Sequence, residues 1–136
     1  MRLKAMAKIN LGLDVLGKRE DGYHEVRMIM QTIRMYDILD IRKTRRPGIV
    51  LTTNLPFIPT DQRNLVYKAA QMLMEEFDVE EGLSIKLRKF IPVAAGMAGG
   101  SSDAAAAFVG VNRMFHLGLT EEQLMERAVK AVSYTH

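Results

Sequence analysis

The sequence predicts an α+β domain, with helices packed on one face of an antiparallel or mixed sheet, and three observations carry that prediction. Apolar and polar residues alternate with a period of two at Leu3–Val15 and again at Leu83–Leu87, the signature of half-buried strands. Leu65, Ala69, Met72, Leu73 and Phe77 recur at helical spacing, which makes an amphipathic helix. Thr120 and Gln123 form a capping box at the head of another helix. Strands come first and helices follow with one more strand among them, an order that belongs to α+β proteins.

In the first strand the odd positions Leu3 to Val15 are apolar, so Lys8 and Asn10, two apart, project together from the opposite face. Most strand lysines in such positions are simply solvated. The polar turn Gly17–Gly22 leads into Tyr23 and His24, and a second strand is expected over Val26–Ile33. An aromatic pair at a loop-to-strand junction can stack on a flat ligand and offer an imidazole for hydrogen bonds. It can equally be a packed tyrosine beside an exposed histidine.

Further strands are expected at Tyr36–Arg42 and Gly48–Thr53, joined by a basic loop from Arg42 to Pro47. With no aromatic residues interleaved, that loop reads as a solvated turn before it reads as an RNA contact. Pro56, Pro59 and Asp61 break the chain ahead of the Leu65–Phe77 helix, whose methionines are packing residues. After the Leu83–Leu87 strand come Ile91-Pro92 and an alanine-rich helix to about His116, which Gly118 ends. Leu119 and Leu124 form a hydrophobic staple for the helix opened by Thr120, expected to reach Val132.

At 136 residues the chain has the length of one domain, and its net charge of +3 suits phosphorylated ligands without requiring nucleic acid. The absence of cysteine excludes disulfides, thiolate metal sites and a cysteine nucleophile. His24, His116 and His136 lie far apart, so no zinc site is expected. Polar residues interrupt every apolar run of the N-terminal stretch, and no stretch is long enough to cross a bilayer, so a cytoplasmic protein is expected.

The stretch richest in chemistry is PVAAGMAGGSSDAAAA, residues 92–107. Its glycines allow tight turns and close backbone approach. The helix that follows presents unpaired N–H groups and the positive end of a dipole. Strand, glycine loop and helix together make a seat for phosphate. It is neither common nucleotide fingerprint: no Gly-Lys-Ser/Thr closes it, and its glycines fall as G-x-x-G-G.

Three separated stretches, AKINLGLDVLGKREDGYHEV (7–26), DQRNL (61–65) and IPVAAGMAGGSSDAAAA (91–107), closely resemble the diphosphocytidyl-methylerythritol kinases of the non-mevalonate isoprenoid pathway. These sit in the superfamily of galactokinase, homoserine, mevalonate and phosphomevalonate kinases. The glycine-serine stretch is the superfamily's; the AKINL and DGYH stretches point to this branch. The resemblance implies ATP- and Mg²⁺-dependent phosphorylation of the 2-hydroxyl of the methylerythritol moiety in a cytidine diphosphate conjugate. It also implies a left-handed β-α-β unit, which no periodicity shows.

Carried over by residue, the resemblance implies that Gly96, Met97, Ala98, Gly99, Gly100, Ser101 and Ser102 cradle the ATP phosphates, with Asn64, Leu65 and Lys89 lining the adenosine pocket. Tyr23 and His24 would hold the cytosine, Asn10 would contact the acceptor, and Lys8 would be the active-site lysine. Phosphoryl transfer spreads charge over phosphate oxygens, so loop amides and a cation suit it. Asp103 would repel a bound phosphate unless it caps the helix or faces Mg²⁺, and the cap is the expected role.

The family's Gly-x-Asp-Val segment, whose aspartate is the usual candidate base, is expected after the last helix, where this chain reads Ala131-Val-Ser-Tyr-Thr-His136. Residues 1–132 are therefore expected to form a truncated N-terminal kinase domain, with 133–136 a non-matching tail. By itself the chain is expected to have little or no kinase activity and to self-associate through uncovered apolar surface. Two alternatives stand beside this expectation: a sister kinase of mevalonate or homoserine type, which has no need of Tyr23-His24, and a non-enzymatic RNA-binding module using the Arg42–Arg46 cluster.

Overall fold

A computed structural model describes residues 1–6, 36–91 and 99–133 of the chain. Among these residues four strands form one sheet: β1 (Arg2–Met6), β2 (Tyr36–Thr44), β3 (Gly48–Thr53) and β4 (Gly82–Arg88). Three helices accompany them: α1 (Leu65–Glu76), α2 (Gly99–Met114) and α3 (Glu121–Ser133). The sheet order is β1-β2-β4-β3. β2 runs antiparallel to both β1 and β4, whereas β3 runs parallel to β4. The sheet is therefore mixed, and β3, α1 and β4 form a β-α-β unit, because parallel neighbours need a crossover.

The period-two pattern determines which face the helices cover. Ala5, Leu39, Ile41, Leu51, Leu83, Ile85 and Leu87 are all buried on one face, while Lys4, Val50, Thr52, Lys86 and Arg88 are exposed on the other. α1 lays Val66, Ala69, Ala70, Leu73 and Met74 into the core, and α2 contributes Ala104, Ala107, Phe108 and Val111. The small residues of α2 have a packing reason. A Cβ added at Gly110 would lie 2.6 Å from Ile41 Cδ1 and 2.8 Å from Leu3 Cδ1, so the helix rests almost directly on β1 and β2. α3 packs on α2 and α1 rather than on the sheet.

Most element boundaries follow the sequence pattern. β3 spans the residues expected of it, α1 ends one residue before Phe77, and β4 extends one residue beyond Leu83–Leu87 at each end. The basic segment is shared between strand and turn: β2 continues through Arg42, Lys43 and Thr44, leaving Arg45–Pro47 as the turn. Its ladder with β4 reaches Thr44↔Gly82, so cross-strand pairing extends the strand past the last apolar residue. The first expected strand is observed over Arg2–Met6, while its continuation to Val15 and the strand expected at Val26–Ile33 lie outside the described residues.

α2 ends at Met114, slightly before His116, and the chain turns through left-handed His116 (φ 52°) and Gly118 (φ 74°). The capping box is present: Gln123 N donates to Thr120 Oγ1 at 3.2 Å and Thr120 N donates to Gln123 Oε1 at 2.9 Å. No described helix is long and apolar enough to cross a membrane.

Candidate phosphate-binding site

The site begins where β4 delivers the chain toward the glycine stretch. Lys89 follows the strand directly, and α2 resumes the described chain at Gly99. Between them, Gly96, Met97 and Ala98 lie outside the described residues, as do Lys8, Asn10, Tyr23 and His24. The remaining candidates are Asn64, Leu65, Lys89, Gly99, Gly100, Ser101 and Ser102.

Asn64 is the N-cap of α1. Its Oδ1 accepts from Val66 N at 2.9 Å and its Nδ2 donates to Pro59 O at 2.9 Å. A short amide side chain at this position satisfies a helix N–H that would otherwise lack a partner. Leu65, the first residue of α1, reaches the start of α2: a Cβ on Gly100 would sit 3.6 Å from Leu65 Cδ1. The DQRNL and glycine-serine stretches, separated by more than thirty residues, thus place two helix starts side by side.

Ser101 is half-buried. Ser102 is 5% exposed, and its Oγ is buried without a hydrogen-bond partner among the described residues. A buried hydroxyl without a partner is costly, and a phosphate oxygen at the head of α2 is a group that satisfies it. The described residues thus suit the phosphates of ATP. Among the described residues no group of three His, Asp or Glu side chains is arranged to hold a metal.

Lys89 turns its ammonium inward. Its side chain is 8% exposed, and Nζ donates to Asp37 Oδ2 at 2.8 Å and to Asp103 Oδ2 at 2.7 Å. Its backbone is held by Asn54, which accepts from Lys89 N at 2.7 Å and donates to Lys89 O at 3.2 Å. β2 and β4 pair Ile38 with Arg88, and continuing that register by one residue brings Asp37 opposite Lys89. Asp37 is fully buried, and its Oδ1 accepts from Phe90 N at 2.7 Å and Ile91 N at 2.9 Å.

The expected helix cap is corrected here. Asp103 lies beyond the first turn of α2 and is 2% exposed; its Oδ2 meets Lys89, while its Oδ1 has no partner. An N-cap sits ahead of the helix with its oxygen on a backbone N–H, and Asp103 is too far into α2 for that. Asp37 escaped sequence analysis. The available signal was its parity: it shares the inward face of β2 with Leu39 and Ile41.

The three charges differ in their response to burial. Burial opposes charge on Asp37, but hydrogen bonds with Asp103, Ile91, Lys89 and Phe90 more than offset it and hold the carboxyl below its ordinary range. Burial likewise opposes the Lys89 charge, and the two carboxylates outweigh it, so the ammonium titrates above its ordinary value. Asp103 goes the other way: burial first, and then the neighbouring Asp37, push it up to about 8 despite the pull of Lys89.

The fold and the loop-to-helix site agree with the comparison to known families. The description "GHMP kinases N terminal domain" matches residues 64–136, more than half of the chain, and the chain belongs to the GHMP kinases. A 4-diphosphocytidyl-2-C-methyl-D-erythritol kinase of Caldicellulosiruptor bescii is 57% identical over 126 residues, covering 93% of this chain and 44% of the relative. One from Bacillus cereus is 56% identical over 124 residues, covering 91% and 43%. The chain thus spans less than half the length of these relatives.

Among solved structures, a 4-(cytidine 5'-diphospho)-2C-methyl-D-erythritol kinase superposes with a TM-score of 0.62 at 23% identity, over 96% of this chain and 46% of that one. A homoserine kinase from Cytophaga hutchinsonii gives 0.65 at 20% identity, over 71% and 32%. Both share the α+β fold.

Proposed function

We propose that the chain carries the nucleotide-binding part of an ATP-dependent kinase that phosphorylates the 2-hydroxyl of 4-diphosphocytidyl-2-C-methyl-D-erythritol. The high identity to curated relatives with that name, extending over nearly the whole chain, is the observation that carries this proposal. The site adds chemical support: two adjoining helix starts, a buried unpartnered Ser102 hydroxyl and a glycine stretch suit a polyphosphate. In this assignment Gly96–Ser102 take the phosphates and Asn64 and Leu65 border the adenosine. Lys89 borders it through backbone alone, since its ammonium is turned inward.

Tyr23 and His24 take the cytosine by stacking and hydrogen bonding. Lys8 stabilises charge developing on the acceptor oxygen and the transferred phosphoryl group, with Asn10 beside it. Mg²⁺, when bound with ATP, supplies charge neutralisation on the phosphates. The RNA-binding alternative has less behind it: Lys43 lies over the Phe115 ring at 5.4 Å, and Arg42 is part of β2.

Titration calorimetry tests the nucleotide assignment, with ATP expected to bind and adenosine to bind more weakly. A thermal-shift series then separates sister kinases. Cytidine nucleotides are expected to raise the melting temperature, and a rise with mevalonate or homoserine in place of cytidine nucleotides would overturn the substrate assignment. Met125 and Val129 are exposed along an apolar groove between α2 and α3, which supports self-association. Light scattering is expected to show apparent mass rising with concentration, and a monomer at every concentration would refute it.

A further inference from the structure

The buried Asp37, Lys89 and Asp103 stand on the two sides of the glycine stretch, before and after it in the chain. Lys89, Phe90 and Ile91 lead into the stretch, and all three are tied to Asp37 by side chain or backbone. Asp103 lies just past it, on α2, and is tied to the same ammonium. The cluster therefore ties the residues that follow β4 to the first turns of α2.

Its charge balance presents a problem and a solution. Two carboxylates on one buried ammonium leave one excess negative charge where water cannot screen it. One carboxyl is relieved by taking a proton. Asp37 is the better placed to stay ionised, since it accepts from two backbone N–H groups as well as from Lys89. Asp103 has Lys89 and the neighbouring Asp37 carboxyl, neither of the backbone N–H groups that Asp37 accepts from, and an oxygen with no partner among the described residues.

We propose that Asp37, Lys89 and Asp103 form an electrically neutral clasp across the base of the phosphate loop, in which Asp103 is a positioning residue that holds a proton at neutral pH and whose ionisation weakens the binding of phosphate anions. This rests on the assignment of the loop to ATP phosphates. Among the described residues, the charged groups facing Asp103 are Asp37 from β2 and Lys89 from the end of β4. Burial and the neighbouring Asp37 push the Asp103 carboxyl up to about 8, which agrees with the charge balance. The clasp removes the objection to a carboxylate next to bound phosphate, because at pH 7 Asp103 carries a proton and the three groups sum to zero. Linkage then requires that phosphate binding favour the protonated carboxyl and that alkali oppose it.

The test has two arms on the 136-residue chain. In the first, carbon NMR of the aspartate carboxyls follows Asp103 without ligand. Asp103 is expected to be protonated at pH 7 and to ionise near pH 8, and ionisation completed below pH 6 overturns the proposal whatever ATP does. In the second, calorimetry measures ATP and adenosine binding at pH 7 and pH 9. If only the protonated form holds phosphate well, ATP affinity falls about tenfold across that interval, adenosine affinity does not change, and Asp103→Asn flattens the ATP profile. ATP affinity that is equal at both pH values in the unsubstituted chain overturns the proposal. Failure of the unsubstituted chain to bind ATP at either pH counts instead against the nucleotide assignment, and the carboxyl titration still decides whether Asp103 holds the proton.

Discussion

Asp103 is the residue whose chemistry changes most on folding. Its carboxyl is raised in the folded chain, so the native state binds a proton that the unfolded chain has already released. Between the unfolded value near 4 and the folded value of about 8, stability falls as pH rises. The melting temperature is expected to decline over that window more steeply than in Asp103→Asn, as a calorimetric pH series would show. Parallel curves for the two proteins would contradict this. Asp37 has the opposite sign: its carboxyl is held low, so its contribution is present above the unfolded value and is lost in acid. Asp37→Ala leaves Lys89 with one partner and the Phe90 and Ile91 amides without their acceptor. Removing one member of a buried ionic network costs about 3–5 kcal/mol, which urea unfolding would measure; a loss below about 1 kcal/mol would show that the network contributes little.

At the scale of elements, the alanine-rich helix reads differently in three dimensions. Ala104, Ala107 and Gly110 let α2 settle closely on its neighbours, and Gly110 meets Ile41 and Leu3 where any Cβ would intrude. Gly110→Val is expected to destabilise the chain by about 1–3 kcal/mol through overpacking, read from denaturant midpoints. An unchanged midpoint would mean that α2 can shift outward freely. The capping box at Thr120 offers a smaller, cleaner effect: Thr120→Ala should cost about 0.5–2 kcal/mol, while Thr120→Ser should restore most of it. Element identity was legible because both signals are local. Alternation identified β1 and β4, helical spacing identified α1, and the Thr-x-x-Gln signature marked the start of α3. The end of β2 was less legible, since Lys43 and Thr44 are held in the strand by β4 partners forty residues away.

For the molecule as a whole, α3 is the outlying layer. It packs on helices and not on the sheet, joined through Leu124 and Ala131 and by Arg127, which donates to Glu76 at 2.9 and 2.6 Å. Exposed ion pairs contribute little, so α3 amides are expected to exchange with solvent faster than those of β4 and α1. Hydrogen exchange with mass detection would report this, and equal protection throughout would indicate that the described elements open together. The candidate site was legible as a motif. The glycine-serine stretch reads as a phosphate seat from residue types alone, and the nearness of Gly100 to Leu65 emerges in the fold.

The sequence by itself determined the fold class and the order of the described elements, because periodicity and capping act over a few neighbouring residues. Only the tertiary structure decided what Lys89 and Asp103 do. The Lys89 ammonium and an aspartate expected to cap a helix meet each other and Asp37, which is 52 residues from Lys89 in sequence. That meeting depends on the register between β2 and β4 and on how closely α2 approaches the sheet. Burial then settles which carboxyl keeps its proton, and burial is a property of the assembled chain.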